Sequence, residues 1–174
     1  PKTSATNVGE CLDFFKKFTE SGKTVIHFTI SSDMSSTYAN ACLAAEELEN
    51  VYVINTENLS TGGGLLTVAA AQMRDDGLAA EEIVEKTKAL VPCVDASFVI
   101  DSLEYLYKGG RCSALAMFGA NLLRLKPCIQ VKNGKMDVAK KYRGKYDEVL
   151  KQYIREKVTD YSDIDLERVF ITHA

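Results

Sequence analysis

The sequence predicts an α/β protein of two α/β lobes, with a mainly parallel sheet in the first. From Val8 to Leu90, short β-rich runs alternate with amphipathic helical runs, the grammar of parallel strands joined by crossover helices. After Pro92 the pattern changes, and an Asn133-Gly134 pair between two β-rich runs signals an antiparallel hairpin. The chain has 174 residues, 46% hydrophobic and 26% charged, enough apolar material for one ordinary domain or two small ones. The change of pattern sets a boundary near residues 92–95, giving lobes over 1–94 and 95–174.

Each element has its own signal. Val8, Cys11, Leu12, Phe15 and Phe18 recur at helical spacing, with Gly22 as the stop. Thr24 to Ile30 reads as a strand, and the polar run Ser31 to Ser36 offers N-caps for a helix from Thr37 to Leu48. Val51 to Ile54 is a second strand. Gly62-Gly63-Gly64 precedes an Ala-rich helix reaching Met73, and a further helix runs from Ala79 to Leu90 before Pro92. In the second half, Ala96 to Ile100 reads as a strand, Ser102 to Tyr107 as a short helix and Gly109-Gly110-Arg111 as a turn. Ser113 to Leu123 is helical, Pro127 to Lys132 and Lys135 onward form the hairpin, and Tyr146, Val149, Leu150 and Tyr153 mark a last helix. Arg168 to His173 has the composition of a final strand.

Composition also excludes. A net charge of −3 and a pI near 5.5 argue against nucleic acid as a partner. No run approaches the roughly 18 apolar residues of a membrane span, and Pro1 to Ala5 has none of the features of a signal peptide. The cysteines Cys11, Cys42, Cys93, Cys112 and Cys128 are odd in number and widely spaced, with no C-x-x-C pair. They read as buried free thiols of a cytoplasmic protein, with no metal site.

Few motifs carry chemistry. Gly22-Lys23-Thr24 lacks the upstream glycine of a P-loop and leads into a strand rather than a helix. The Gly62 to Gly64 run reads as close packing of a helix on the sheet in preference to an anion cradle. His27 and His173 are the only histidines, and no G-x-S-x-G elbow accompanies them, so no catalytic residue is assigned. Lys135, Lys140, Lys141, Arg143 and Lys145 form a basic cluster relieved only by Asp137, which reads either as a solvated face or as a docking patch for an acidic partner. The most informative group is hydroxyl-rich: Thr3-Ser4, and Ser31-Ser32-Asp33-Met34-Ser35-Ser36-Thr37-Tyr38 after the first strand. In open α/β sheets ligands bind beyond the carboxyl ends of strands. Hydroxyls and free N–H groups there can hold a carboxylate without an arginine.

These residues resemble the DegV family, the lipid-binding subunits of bacterial fatty-acid kinase. The likeness runs through Thr3-Ser4, the Ser31 to Tyr38 loop, Gly63-Gly64-Leu65, Asp101 to Arg111, Leu125-Lys126-Pro127, Arg143-Gly144 and Thr172-His173-Ala174. It spans essentially the whole chain. Asp33 and Ser36 stand where the family loop has glycines, and the Pro of its first motif is absent. The family's first strand and helix and its C-terminal part have no counterpart here, so the functional protein is expected to be longer.

What the resemblance implies is one long-chain fatty acid held between the lobes, with its carboxylate on Thr3 and Ser35 and with Ser32 as neighbour. A separate kinase subunit would phosphorylate that carboxylate, docking on a surface that includes Arg143, Lys141 and Lys145. No cofactor is implied beyond the fatty acid as ligand, and a transient membrane-surface contact would serve its exchange. The competing reading is an enzyme acting on a small phosphorylated or carboxylated metabolite at the same crevice. That reading needs a general base, and the sequence offers only His27, His173 and carboxylates in no paired arrangement.

Overall fold

A computed structural model describes residues 4–101, 104–110, 125–159 and 162–172. The chain divides into two compact units, Pro1–Val94 and Asp95–Ala174.

In the first unit, helix α1 spans Val8–Thr19. Asn7 starts it with a capping box: its side-chain oxygen accepts from the Glu10 N–H at 2.9 Å, and its own N–H donates to the Glu10 carboxylate at 2.9 Å. Gly22, at φ 75°, turns the chain out of the helix. Strand β1, Val25–Thr29, lies parallel to β2, Val51–Asn55, with Val25 opposite Val51 and Thr29 opposite Asn55. Helix α2, Thr37–Ala45, connects them. Its Ala41 and Ala44 pack against Cys11 and Phe15 of α1, all four buried. Small side chains on α2 let the two helices approach closely. Helix α3, Ser60–Asp75, follows β2, and α4, Ala80–Leu90, follows Gly77.

In the second unit, β3, Ala96–Val99, pairs antiparallel with β4, Lys126–Lys132, which pairs antiparallel with β5, Lys135–Tyr142. Between β3 and β4 lies the short helix α5, Glu104–Gly109. Asn133 and Gly134 take φ 50° and 75°, the two left-handed positions that a type I′ hairpin requires. Cys128 faces Lys140 while Ile129 faces Val138, so Ala139 is the extra residue of a bulge. Helix α6, Tyr146–Thr159, closes the unit by packing Tyr146, Val149, Leu150 and Tyr153 on Val99, Cys128 and Tyr142. The Tyr146 and Tyr153 hydroxyls reach the β3 carbonyls of Val99 and Ser97 at 3.0 and 2.8 Å.

The α/β assignment and the Asn-Gly hairpin are as the sequence predicts, and several details differ. Residues 169–172 form no strand: Val169, Phe170 and Ile171 are exposed and follow a 3₁₀ turn at Leu166–Arg168. β-rich composition makes a strand only where a neighbouring strand supplies a ladder of backbone partners, and none of the five described strands pairs with Val169 to Ile171. The Ser36 side chain does not cap α2. The three glycines lie inside the first turn of α3 rather than in a turn before it. Cys11 and Cys128 are buried thiols, but Cys42 is half-buried and Cys93 exposed. The expected helix Ser113 to Leu123, together with Arg111, Cys112 and His173, falls outside the described residues.

Candidate functional site

β1 and β2 run in the same direction, so the loops that follow them leave the same end of the sheet. The first loop is Ile30 to Ser36 and the second Thr56 to Leu59. Buried polar groups lace the two together. The Thr56 N–H and hydroxyl both donate to the Thr29 carbonyl, at 3.2 and 2.8 Å. The Thr29 hydroxyl donates to the Ile54 carbonyl at 3.3 Å, and the Ser31 N–H to the Asn58 carbonyl at 2.9 Å. Thr29, Ser31, Thr56 and Asn58 are all buried. Most buried polar groups in folded chains are paired, and here the pairs also hold one strand end and its loop against the other.

Asn55, the last residue of β2, holds the Ser-rich loop directly. Its Oδ1 accepts from the Ser32 N–H at 3.1 Å and from the Glu57 N–H at 3.2 Å, while its Nδ2 donates to the Ser32 hydroxyl oxygen at 2.9 Å. Met34, buried, pins the middle of the loop. Ser35 forms an ST-turn in place of an N-cap. Its Oγ accepts from the Thr37 N–H at 3.2 Å and lies 2.8 Å from the Thr37 hydroxyl. Ser32 is left exposed and Ser35 half-buried.

Behind the loops, α3 approaches closely. A Cβ on Gly62 would overlap the buried Asn58 side chain, and one on Gly63 would touch the Thr56 hydroxyl. The glycine run therefore serves close packing of a helix onto the loop. Glu57 and Ser60 sit at φ 49° and 48°, left-handed conformations that non-glycine residues adopt at an energetic cost.

A cavity of about 370 Å³ lies beside the Ser-rich loop, with Ile30 and Thr37 from its two flanks in the lining. Phe14, Phe15 and Phe28 supply aromatic walls, and Thr6, Glu10 and His27 polar ones. His27 packs edge-on against Phe15 at 5.1 Å between ring centres. Burial lowers its pKa from the usual histidine value, which makes it a neutral member of the wall. The Asn40 amide donates to the Thr6 carbonyl at 2.7 Å and so ties the chain just before α1 to α2. Thr3 itself falls outside the described residues.

The second unit carries the other predicted residues. Lys141, Arg143 and Lys145 are exposed along the end of β5 and the approach to α6. Lys140 lies 2.8 Å from Glu156. Glu156 also accepts from the Tyr142 hydroxyl at 2.6 Å and from the Gln152 amide at 2.9 Å. The Lys140, Tyr142 and Gln152 hydrogen bonds hold its carboxyl down at about 2. Among the described residues, no three His, Cys, Asp or Glu side chains cluster in a way that could hold a metal ion. Nor is any described helix long and apolar enough to cross a membrane.

Asn55, Thr56 and Asn58 were not singled out from the sequence. Their one signal is position: an Asn-Thr-Glu-Asn run closing the second parallel strand.

Fold and geometry together define an α/β protein with a hydroxyl-rich loop after a parallel strand, where ligands bind in open α/β sheets, and a cavity that meets the end of that loop at Thr37. The model of the DegV family, described as uncharacterised protein, DegV family, matches residues 1–174. The chain belongs to the DegV family. A DegV domain-containing protein of Clostridium acetobutylicum is 36% identical over 83% of this chain and 52% of its own length. The crystal structure of a DegV lipid-binding protein from Thermotoga maritima superimposes with a TM-score of 0.80 at 31% identity, covering 92% of this chain and 56% of that one. A stearic acid-binding protein from Eubacterium ventriosum gives 0.77 at 30% identity, over 91% of this chain and 58% of its own. The chain thus spans about half the length of the relatives it matches.

Proposed function

We propose that this chain is part of a non-catalytic, cytoplasmic subunit that binds one long-chain fatty acid and presents its carboxylate to a separate kinase subunit. The carboxylate rests on Thr3 and Ser35, with Ser32 as neighbour. The carboxylate oxygen attacks the γ-phosphorus of ATP held by the partner, releasing ADP and leaving an acyl phosphate. Lys141, Arg143 and Lys145 belong to the surface on which that partner docks, and a transient membrane contact serves exchange of the lipid.

The observation that carries this reading is the cavity walled in part by Phe14, Phe15 and Phe28, which meets the hydroxyl loop at Thr37, hydrogen-bonded to Ser35. Burying an acyl tail contributes roughly 0.8 kcal/mol per methylene, so a tail of about a dozen carbons offers on the order of 10 kcal/mol before losses. Neutral hydroxyl donors leave the carboxylate oxygen nucleophilic, where an arginine fork would hold it in two strong bonds. The homologous lipid-binding and stearic acid-binding structures support the ligand class.

The test uses the full-length protein with its kinase subunit. Lys141→Glu, Arg143→Glu and Lys145→Glu combined should leave bound lipid unchanged and slow acyl-phosphate formation about tenfold or more. An unchanged rate would move the docking surface elsewhere. Acyl-phosphate formation by a Ser35→Arg variant at the parent's rate would contradict the role given to neutral donors.

A further inference from the structure

The amide of Asn55 cannot be turned end for end. Two backbone N–H groups, from Ser32 and Glu57, point at the same side-chain oxygen at 3.1 and 3.2 Å. A flipped amide would set its own N–H₂ against both. The hydrogen-bond network therefore assigns Nδ2 to the Ser32 hydroxyl, 2.9 Å away. Nδ2 can only donate, so at this contact the Ser32 oxygen accepts. Its single proton has no acceptor among the described residues and is left for whatever occupies the site.

The same polarity holds one turn on. The Thr37 N–H donates to the Ser35 oxygen at 3.2 Å, and the Ser35 and Thr37 hydroxyls lie 2.8 Å apart. Whichever of the two hydroxyls donates to the other, one proton of the pair remains for a ligand. On both sides of Met34, backbone or amide N–H groups occupy serine lone pairs and leave one O–H proton, that of Ser32 on one side and that of Ser35 or Thr37 on the other.

We propose that Asn55 is a positioning residue that fixes Ser32 as a hydrogen-bond donor and so makes the loop select an ionised carboxylate over a neutral lipid headgroup. The inference rests on the carboxylate site of the proposed function. An acceptor-only group takes every bond the loop offers. A fatty alcohol brings its own proton and finds the lone pairs on the Asn55 side already occupied. Selection then comes from an unsatisfied donor rather than from a fixed positive charge.

The test compares stearate with octadecanol by displacement of a fluorescent fatty acid from the full-length protein. The parent should prefer stearate by about tenfold or more. Asn55→Asp keeps the oxygen that receives both N–H groups but replaces Nδ2 with an acceptor, which turns the Ser32 proton inward. Stearate affinity should fall about tenfold or more while octadecanol affinity holds. Simple repulsion by the new carboxylate would cost the same whether or not Ser32 carries a hydroxyl. The cost of Asn55→Asp should therefore shrink severalfold in a Ser32→Ala background. An equal cost in both backgrounds overturns the proposal.

Asn55→Ala introduces no charge and should lower the acid-to-alcohol ratio several-fold. An unchanged ratio there also overturns it, whatever the folding of the Asp variant. A parent protein that binds neither probe refutes the fatty-acid reading itself. A parent that binds stearate, with variants of unchanged preference, leaves that reading standing and removes only the role of Asn55.

Discussion

In Pro1–Val94 buried neutral groups lace together the loops at the strand ends, whereas in Asp95–Ala174 ion pairs at the surface stand beside the tyrosine bonds to the β3 carbonyls. Thr29, Ser31, Thr56 and Asn58 exchange hydrogen bonds out of reach of water. In the second unit Lys140 meets Glu156 at 2.8 Å and Lys157 meets Asp95 at 2.7 Å, both in contact with solvent. Exposed ion pairs contribute about 0–1 kcal/mol each and weaken with salt. A buried neutral network gives modest net stability but allows one arrangement only, because any alternative strands a buried polar group. The first unit is therefore built to hold a loop still, and the second to carry charge on its face.

Gly62→Ala should have the largest effect on this contrast. The new methyl would overlap the buried Asn58 side chain, and overpacking of this kind costs about 1–3 kcal/mol. Because Asn58 receives the Ser31 N–H, the thermal midpoint should fall and bound lipid should fall with it. Loss of stability with full lipid occupancy would show that the laced loops do not govern the site.

Acid should act on the second unit instead. The Glu156 carboxyl titrates at about 2 in the folded chain against 4.5 for the free group. A depressed carboxyl contributes stability that is complete above about 4.5 and lost as the pH falls toward 2. The protection of α6 against hydrogen exchange, relative to the intrinsic rate at each pH, should fall through that window in the parent and show a flatter dependence in Glu156→Gln. Identical pH profiles would place the acid sensitivity in other groups.

A smaller effect sharpens the picture of the first unit. The Thr87 hydroxyl of α4 is buried with no hydrogen-bond partner among the described residues. Thr87→Val keeps the shape and removes the unpaired group, so stability should rise by about 1 kcal/mol. A fall in the midpoint would mean that this hydroxyl has a partner after all.

The sequence made most of the fold legible because most of its signals are local. The spacing of Val8, Cys11, Leu12 and Phe15 marks the buried side of α1, and Asn133-Gly134 carries the two dihedral angles its hairpin needs. Val169 to Ile171 misled because strand formation depends on a neighbour that composition does not reveal. The same distinction divides the site. A cluster of hydroxyls after a strand is visible in one dimension, and within it the resemblance to the DegV family is what singles out Ser35 and Ser32. Asn55 reads as an ordinary loop residue until the register places it opposite Thr29, beside the Ser-rich loop. Thr56 and Asn58 are hidden in the same way, since what they hold lies more than 20 residues away in the chain.

Native mass spectrometry of the full-length protein as purified, followed by lipid extraction, tests the central claim most directly when parent and Ser35→Ala are compared. The account predicts a mass excess of one long-chain fatty acid on the parent and its loss from most of the variant. Equal occupancy in both would contradict the assignment of the carboxylate to the hydroxyl loop. A parent that is empty and takes up no added stearate would contradict fatty-acid binding altogether.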